Sequence, residues 1–153
     1  MGVLKSGVFI VAVMFLAFAG NAQITKDPTT WTIEAKKTGA TSYDIVFHLG
    51  LKADWHIWSL KPGGDGFQLP PEFKLDKNAK VKLVGKVKEK GKIIKKTMEG
   101  VDGIVNYYSG NVDYVQSVTA TGVPKITGSY RYQVCTDQMC LPPKTKKFEV
   151  TLK

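Results

Sequence analysis

The sequence predicts an all-β fold, an immunoglobulin-like β-sandwich of about seven to nine strands. Apolar and polar residues alternate along most of the chain, and residues typical of turns separate the alternating runs. A period of two is typical of strands with one buried face. No stretch of ten or more residues after the N-terminal segment shows the apolar stripe of a helix. Short strands at this spacing favour a sandwich.

The N-terminal segment has the pattern of a secretory signal peptide. Lys5 precedes an apolar run over residues 8–19, and small residues lead to Ala22. We expect residues 1–22 to be removed, and residues 23–153 to form a single domain outside the cytoplasm. No later run approaches the roughly 18 apolar residues of a membrane span, so we expect no membrane insertion of the mature chain.

Five segments are predicted as strands because apolar and polar residues alternate along them: 31–35, 43–51, 112–120, 129–134 and 146–153. The lysine-rich segment 74–96 also alternates, which predicts a strand pair with Val81, Leu83 and Val87 facing inward and lysines in water. This solvated face accounts for the net charge of +9, so we expect no nucleic-acid partner. Two longer loops, 60–71 and 96–110, are expected to carry function because loops on rigid sheets commonly do.

The two cysteines of the chain, Cys135 and Cys140, flank a predicted hairpin turn. Cross-strand neighbours in an antiparallel pair lie within disulfide range, and an exported protein meets oxidants. One interpretation is a structural staple, although closing so short a ring contributes only about 2 kcal/mol. The other is a redox-active pair, since a bond at a hairpin tip is open to exchange.

Charges near the pair do not decide between the two interpretations. Lysines that follow Cys140 favour a thiolate, whereas Asp137 within the turn opposes one. Pro142 and Pro143 have no N–H to donate, which leaves the pair near a free sheet edge. The sequence alone therefore permits exchange chemistry without excluding a passive disulfide.

The segment "YQVCTDQMCLPP" (132–143) resembles the cysteine hairpin of the N-terminal periplasmic domain of the DsbD thiol:disulfide interchange reductases. The segment "LKADWHIWS" (51–59) is similar to the closely spaced aromatics of that family, and a weaker likeness continues through Tyr107, Tyr108 and residues 112–118. The resemblance implies a periplasmic immunoglobulin-like domain. Its cysteine pair would relay reducing equivalents from a membrane-embedded reductase to periplasmic thioredoxin-fold proteins.

By the same resemblance, Cys140 forms mixed disulfides and Cys135 resolves them. His56 and Trp58 stand where the family usually has tyrosines beside the pair, so they are predicted to line the active site. Tyr107 and Tyr108 are predicted to line it as well. The family caps its disulfide with a phenylalanine, and the matching region here, 98–108, instead offers as capping residues Met98, Ile104 or a tyrosine.

Two further departures from the family pattern matter. The spacer between the cysteines is four residues, where better-known members have five. The sequence contains neither the membrane domain nor the C-terminal thioredoxin-like domain of the family, so the redox partners are expected to be separate chains.

Two other functions are weighed against thiol exchange. A copper or zinc site is conceivable from the cysteines with His56 and Met139, because soft sulfur ligands suit Cu(I). His48, the other histidine, is expected on a strand surface beside Asp44, so ligands are few and we expect no metal and no cofactor. The second alternative is a non-catalytic binding or scaffold domain with a structural disulfide.

Overall fold

The alternating segments form β-strands throughout residues 26–153, the part of the chain that the computed structural model describes. The strands are β1 (Thr29–Lys37), β2 (Ser42–Leu51), β3 (His56–Gly63), β4 (Glu72–Leu75), β5 (Val81–Gly91), β6 (Ile94–Thr97), β7 (Ile104–Ser109), β8 (Asn111–Ala120), β9 (Lys125–Tyr132), β10 (Val134–Cys135) and β11 (Lys144–Thr151). These residues include no α-helix, so the predicted all-β class is confirmed. They also contain no helix long and apolar enough to span a bilayer. The predicted signal peptide, residues 1–22, lies outside the described residues.

The strands form three antiparallel sheets. The first has the order β1-β2-β8-β5, the second β10-β3-β7-β6 and the third β11-β9-β4. The chain passes from the third sheet to the second at Gln133, between the end of β9 and the start of β10. The short strand β10 is therefore an edge strand that continues directly from a long one.

The main hydrophobic core draws side chains from all three sheets. From the first sheet come alternating residues of β2 and β8, among them Phe47 and Tyr114, both fully buried. The third sheet adds Tyr130 and Phe148, whose rings lie 5.8 and 4.9 Å from that of Phe47. Edge-on and tilted ring pairs at such distances are favourable beyond the apolar area they bury. The second sheet packs against this core through Ile57, Tyr108 and Val134.

The structure has eleven strands, more than the seven to nine expected, and one expected loop is a strand. Residues 104–109 of the segment 96–110 form β7, which pairs with both β3 and β6. The sequence did not predict this strand because its alternation is interrupted: the adjacent Tyr107 and Tyr108 are both buried, on opposite faces. Glycines also stand on both sides of the strand. Only the turn between β6 and β7 remains irregular.

Leu83 also differs from its prediction. It pairs with the buried Val118 but is 58% exposed. Strand β5 is the edge strand of its sheet, so an inner-face side chain is covered only where another element packs beside it, and Leu83 is not covered in this way. Val81 and Val87 do pack against the core as expected.

Asp27 ties the start of the described chain to the third sheet. Its carboxylate accepts hydrogen bonds from the Tyr132 hydroxyl at 2.6 Å and from the Thr29 hydroxyl at 2.7 Å, and Lys146 Nζ lies 3.2 Å away. Burial alone would raise the pKa of Asp27, but the hydrogen bonds from Tyr132, Thr29 and Lys146 outweigh it and hold this pKa well below its usual range. The ionised carboxylate therefore stabilises the fold.

We expect Asp27→Asn to lower the free energy of unfolding by about 1–2 kcal/mol at neutral pH, because it removes charge-assisted hydrogen bonds. Since folding lowers this pKa, the contribution is present above about pH 4, where an unfolded aspartate is ionised, and is lost as the pH falls further. Urea unfolding of both proteins at several pH values measures the difference. The control is Asp76→Asn, which alters an exposed carboxylate bonded to Thr127 and should change stability by less than about 0.5 kcal/mol at any pH. A difference between wild type and Asp27→Asn that stays constant down to low pH would contradict the assignment.

Candidate functional site

The second sheet has two buried faces with different roles. Because side chains alternate along a strand, Ile57, Tyr108 and Val134 face the main core. Their neighbours point to the opposite side, where a second apolar cluster forms from Trp58, Val105, Tyr107 and Cys135. One of the two cysteines thus belongs to a small core of its own.

The cysteine hairpin is held by main-chain hydrogen bonds on both sides of the disulfide. The Thr136 N–H donates to the Met139 carbonyl at 2.7 Å, and the Leu141 N–H donates to the Val134 carbonyl at 2.9 Å. Leu141 and Val134 are themselves buried in the main core. The hairpin therefore has anchors that do not depend on the sulfur–sulfur bond.

Cys135 and Cys140 are joined in a disulfide and face each other across an antiparallel bridge. Their surroundings differ sharply: Cys135 is 1% exposed, whereas Cys140 is an exposed residue at the end of the turn. A second protein can therefore approach Cys140, while Cys135 lies behind it.

Three rings surround the buried cysteine. His56 lies directly opposite Cys135 in the pairing of β3 with β10. Its ring centroid is 4.9 Å from that of Trp58 and 4.7 Å from that of Tyr107. The structure therefore brings His56, Trp58 and Tyr107 together with Cys135. It does not bring Tyr108 to them, since Tyr108 faces the main core.

His56 is 3% exposed, an unusual burial for a titratable side chain. Its Nε2 has no hydrogen-bond partner among residues 26–153. Burial lowers the pKa of His56 below its usual value, and Lys96 lowers it further, while Asp137 acts in the opposite direction. The imidazole is consequently neutral at neutral pH.

An open cleft of about 590 Å³ adjoins the turn between the cysteines, and His56 lines it with Thr136 and Asp137. Across it, Lys96 Nζ lies 3.2 Å from an Asp137 carboxylate oxygen and 5.9 Å from the centre of the Tyr107 ring. The hydrogen bond with Asp137 raises the pKa of Lys96, so the lysine stays charged. Both charged groups are exposed, and their pairing links β6 to the cysteine turn across the cleft.

Among the capping residues considered from the sequence, Met98 packs against the Cys135 cluster. Ile104 is 59% exposed and does not. Val101, which the sequence did not single out, also contacts the cluster from the turn between β6 and β7. Its only sequence signal is that it is an apolar residue in an otherwise polar, glycine-containing turn.

The structure does not gather the ligands of the alternative metal site. Among residues 26–153 there is no group of three or more His, Cys, Asp or Glu side chains that could hold a metal ion. Both cysteines are in the disulfide, and Met139 is half exposed on the turn. His48 lies on the first sheet, where its nitrogens contact Asp113 and Glu34 at 2.7 and 2.8 Å rather than Asp44.

Comparison with known proteins gives a family and several structural neighbours. The family model described as "Thiol:disulfide interchange protein DsbD, N-terminal" matches residues 21–152. The N-terminal periplasmic domain of ScsB from Proteus mirabilis is 14% identical, with a TM-score of 0.59 over 82% of this chain and 46% of that chain. The N-terminal domain of Neisseria meningitidis DsbD in the reduced form is 15% identical, with a TM-score of 0.52 over 79% of this chain and 84% of that one. This chain thus spans about half the length of the ScsB chain. A comparison with curated protein sequences gives no match.

We expect the double variant Cys135→Ala/Cys140→Ala to fold and to unfold cooperatively. The six-residue ring contributes only about 2 kcal/mol by loop closure, against a typical total stability of about 5–15 kcal/mol. Urea unfolding followed by circular dichroism measures the loss. Wild-type protein kept reduced is the matched control and should lose a similar amount. Loss of the cooperative transition in both proteins would show that the bond is a necessary staple.

Proposed function

The chain belongs to the family of N-terminal domains of the thiol:disulfide interchange protein DsbD, and from this premise we propose that it is a periplasmic electron carrier. In this proposal Cys135 and Cys140 relay reducing equivalents between a membrane-embedded reductase and periplasmic thioredoxin-fold proteins. The observation that carries the proposal is the difference in solvent exposure of the two cysteines: Cys140 is exposed at the hairpin tip, and Cys135 is buried behind it.

Reduction begins at the exposed sulfur. A thiolate of the reductase attacks Cys140 Sγ, the Cys135–Cys140 bond breaks, and Cys135 leaves as a thiolate. A second reductase thiol, on deprotonation, attacks the reductase sulfur of this mixed disulfide and releases Cys140. The carrier now holds two thiols, and the reductase holds the disulfide.

Delivery to the acceptor protein runs the same steps in reverse. The Cys140 thiolate attacks the acceptor disulfide, and one acceptor sulfur leaves as a thiolate. The Cys135 thiolate then attacks Cys140 Sγ and displaces the second acceptor sulfur. Two electrons pass to the acceptor, and the Cys135–Cys140 bond is restored.

The position of the hairpin suits this exchange. Strand β10 is at the edge of the second sheet, so within residues 26–153 no further strand pairs with it on that side. Pro142 and Pro143 are exposed and have no N–H groups, which discourages strand addition there. A partner can therefore reach Cys140 without displacing part of this domain.

We expect the reduction potential of the pair to lie in the range of exchange proteins, about −120 to −270 mV. The measurement is equilibration with glutathione or dithiothreitol redox buffers, read out by trapping free thiols. Trp58 packs in the same cluster as Cys135, so its fluorescence offers a second signal. A Trp58→Phe variant is the control for that signal. A potential below about −300 mV marks a structural disulfide and would support the binding or scaffold alternative.

Cys135→Ala is expected to accumulate mixed disulfides with thioredoxin-fold proteins, because an exposed Cys140 then lacks its resolving partner. Cys140→Ala should accumulate several-fold fewer, because the remaining thiol is buried. Each single variant is expressed in an oxidising periplasm, and captured complexes are compared on non-reducing gels. Equal capture by both variants would remove the role assignment, and capture by neither would favour a passive disulfide.

A further inference from the structure

The position of His56 opposite Cys135 indicates a further role for this histidine at the site. We propose that His56 is the general base of the exchange reaction, and that its imidazole accepts the thiol proton of Cys135 when Cys135 resolves a mixed disulfide. The inference rests on the proposed function, since it concerns a step of that reaction.

The backbone register places the two side chains together. His56 and Cys135 are directly opposed on the antiparallel strands β3 and β10. Side chains opposed in this way project to the same face with Cβ atoms about 4.5–5.5 Å apart. Both residues are buried, at 3% and 1% exposure. The register therefore places His56 on β3 directly opposite Cys135, while Cys140 lies opposite Cys135 across the hairpin.

A thiol in this position needs a proton acceptor within the protein. Cys135 resolves a mixed disulfide only as a thiolate, and burial in apolar surroundings raises the pKa of a thiol. The described residues packed around it include the apolar Trp58 and Val105, which accept no proton. Since Cys135 is almost fully covered, water is a poor route for the proton.

The other ionisable groups around the cleft are less suited to this task. Lys96 and Asp137 are paired with each other at 3.2 Å, and both are exposed. Tyr107 lies beneath the Lys96 ammonium and is a weak base. Asp54 lines the cleft from the turn before β3 and is also exposed. His56 alone among these cleft-lining groups is buried, neutral and next to Cys135 in the register.

The unpartnered nitrogen of His56 fits this role. In the oxidised protein Cys135 has no proton to donate, and Nε2 has no hydrogen-bond partner among residues 26–153. An unsatisfied buried nitrogen costs free energy, so its retention calls for a reason. Burial and Lys96 keep the imidazole neutral at neutral pH, which leaves it able to accept a proton.

The proton balance of the step is complete. The Cys135 S–H bond breaks as its proton moves to the imidazole, and the resulting thiolate attacks Cys140 Sγ. The bond between Cys140 and the partner sulfur breaks, and the partner leaves as a thiolate. The imidazolium then returns its proton to the departing thiolate or to solvent, and His56 is neutral again.

The test is the reaction of the reduced domain with dithiobis(nitrobenzoate), which separates the two sulfur steps. Attack by Cys140 releases one thionitrobenzoate, and resolution by Cys135 releases the second. We expect His56→Gln to slow the second release at least about tenfold near neutral pH, as loss of a general base does, and to leave the first unchanged. His48→Gln is the matched control, because His48 lies on another sheet and contacts Asp113 and Glu34.

The pH dependence distinguishes a base from a packing residue. Without His56, the second release should accelerate steeply as the pH rises, because Cys135 must then ionise unaided. The difference between wild type and His56→Gln should therefore shrink at high pH. A second release in His56→Gln that is as fast as in wild type would overturn the proposal, as would a slowing that is constant across pH.

Two further measurements keep the proposal testable if His56→Gln does not fold. His56→Phe keeps a ring against Trp58 and Tyr107 while removing the base, and should slow the same step. In wild-type protein, nitrogen NMR of the imidazole should show a change in the His56 titration when the disulfide is reduced. An unchanged titration would contradict the proposal. Failure of the proposed function looks different, because it would appear as a reduction potential below about −300 mV or as no capture of thioredoxin-fold proteins by Cys135→Ala, while both releases would still occur in the wild-type dithiol.

Discussion

The pairing of β3 with β10 is the interaction on which the site depends. Two adjacent residue pairs make it, Cys135 with His56 and Val134 with Ile57. Since neighbouring residues point to opposite faces, Val134 and Ile57 face the main core, whereas Cys135 and His56 face the candidate site. Burying each of the two aliphatic side chains contributes about 1.5–3 kcal/mol, which together exceeds the roughly 2 kcal/mol of the disulfide ring. The core therefore helps to hold the cysteine hairpin in place, and we expect the arrangement to persist without the disulfide.

The strand β3 is fixed at a second point by a carboxylate from the first sheet. Glu89 on β5 accepts hydrogen bonds from the Ser59 hydroxyl at 2.9 Å and from the Leu60 N–H at 2.6 Å. Ser59 directly follows Trp58 and is almost completely buried. Hydrogen bonds to an ionised acceptor are stronger than neutral ones, particularly away from water. Two of the rings around Cys135, those of His56 and Trp58, thus lie on a strand that is also tied to the first sheet.

The sequence predicts the central strands of the first sheet better than it predicts the site. Along β2 and β8 the residues at alternate positions are apolar except Gln116, and the structure buries most of them. The cysteine hairpin and the aromatic segment around His56 were also recognisable, because each carries a local pattern. Tyr107 and Tyr108 were not separable, since adjacent residues face opposite sides and only the register of β7 with β3 decides which faces the cysteines. The contact of Val101 with the cluster likewise depends on tertiary packing, which alternation does not record.

The proposed order in which the cysteines react rests on the fold rather than on their local charges. Both flank one turn of four residues, so nearby lysines and Asp137 act on both sulfurs and distinguish them little. Their exposure differs, because Cys135 is in a strand that packs against an apolar cluster and Cys140 is not. The hydrogen bonds from Thr136 and Leu141 that close the hairpin involve only main-chain atoms. We expect these bonds to persist when the disulfide is reduced, which would keep Cys135 behind Cys140 in both redox states. In the proposed relay, the same exposed sulfur would then meet both the protein that reduces the carrier and the protein that the carrier reduces.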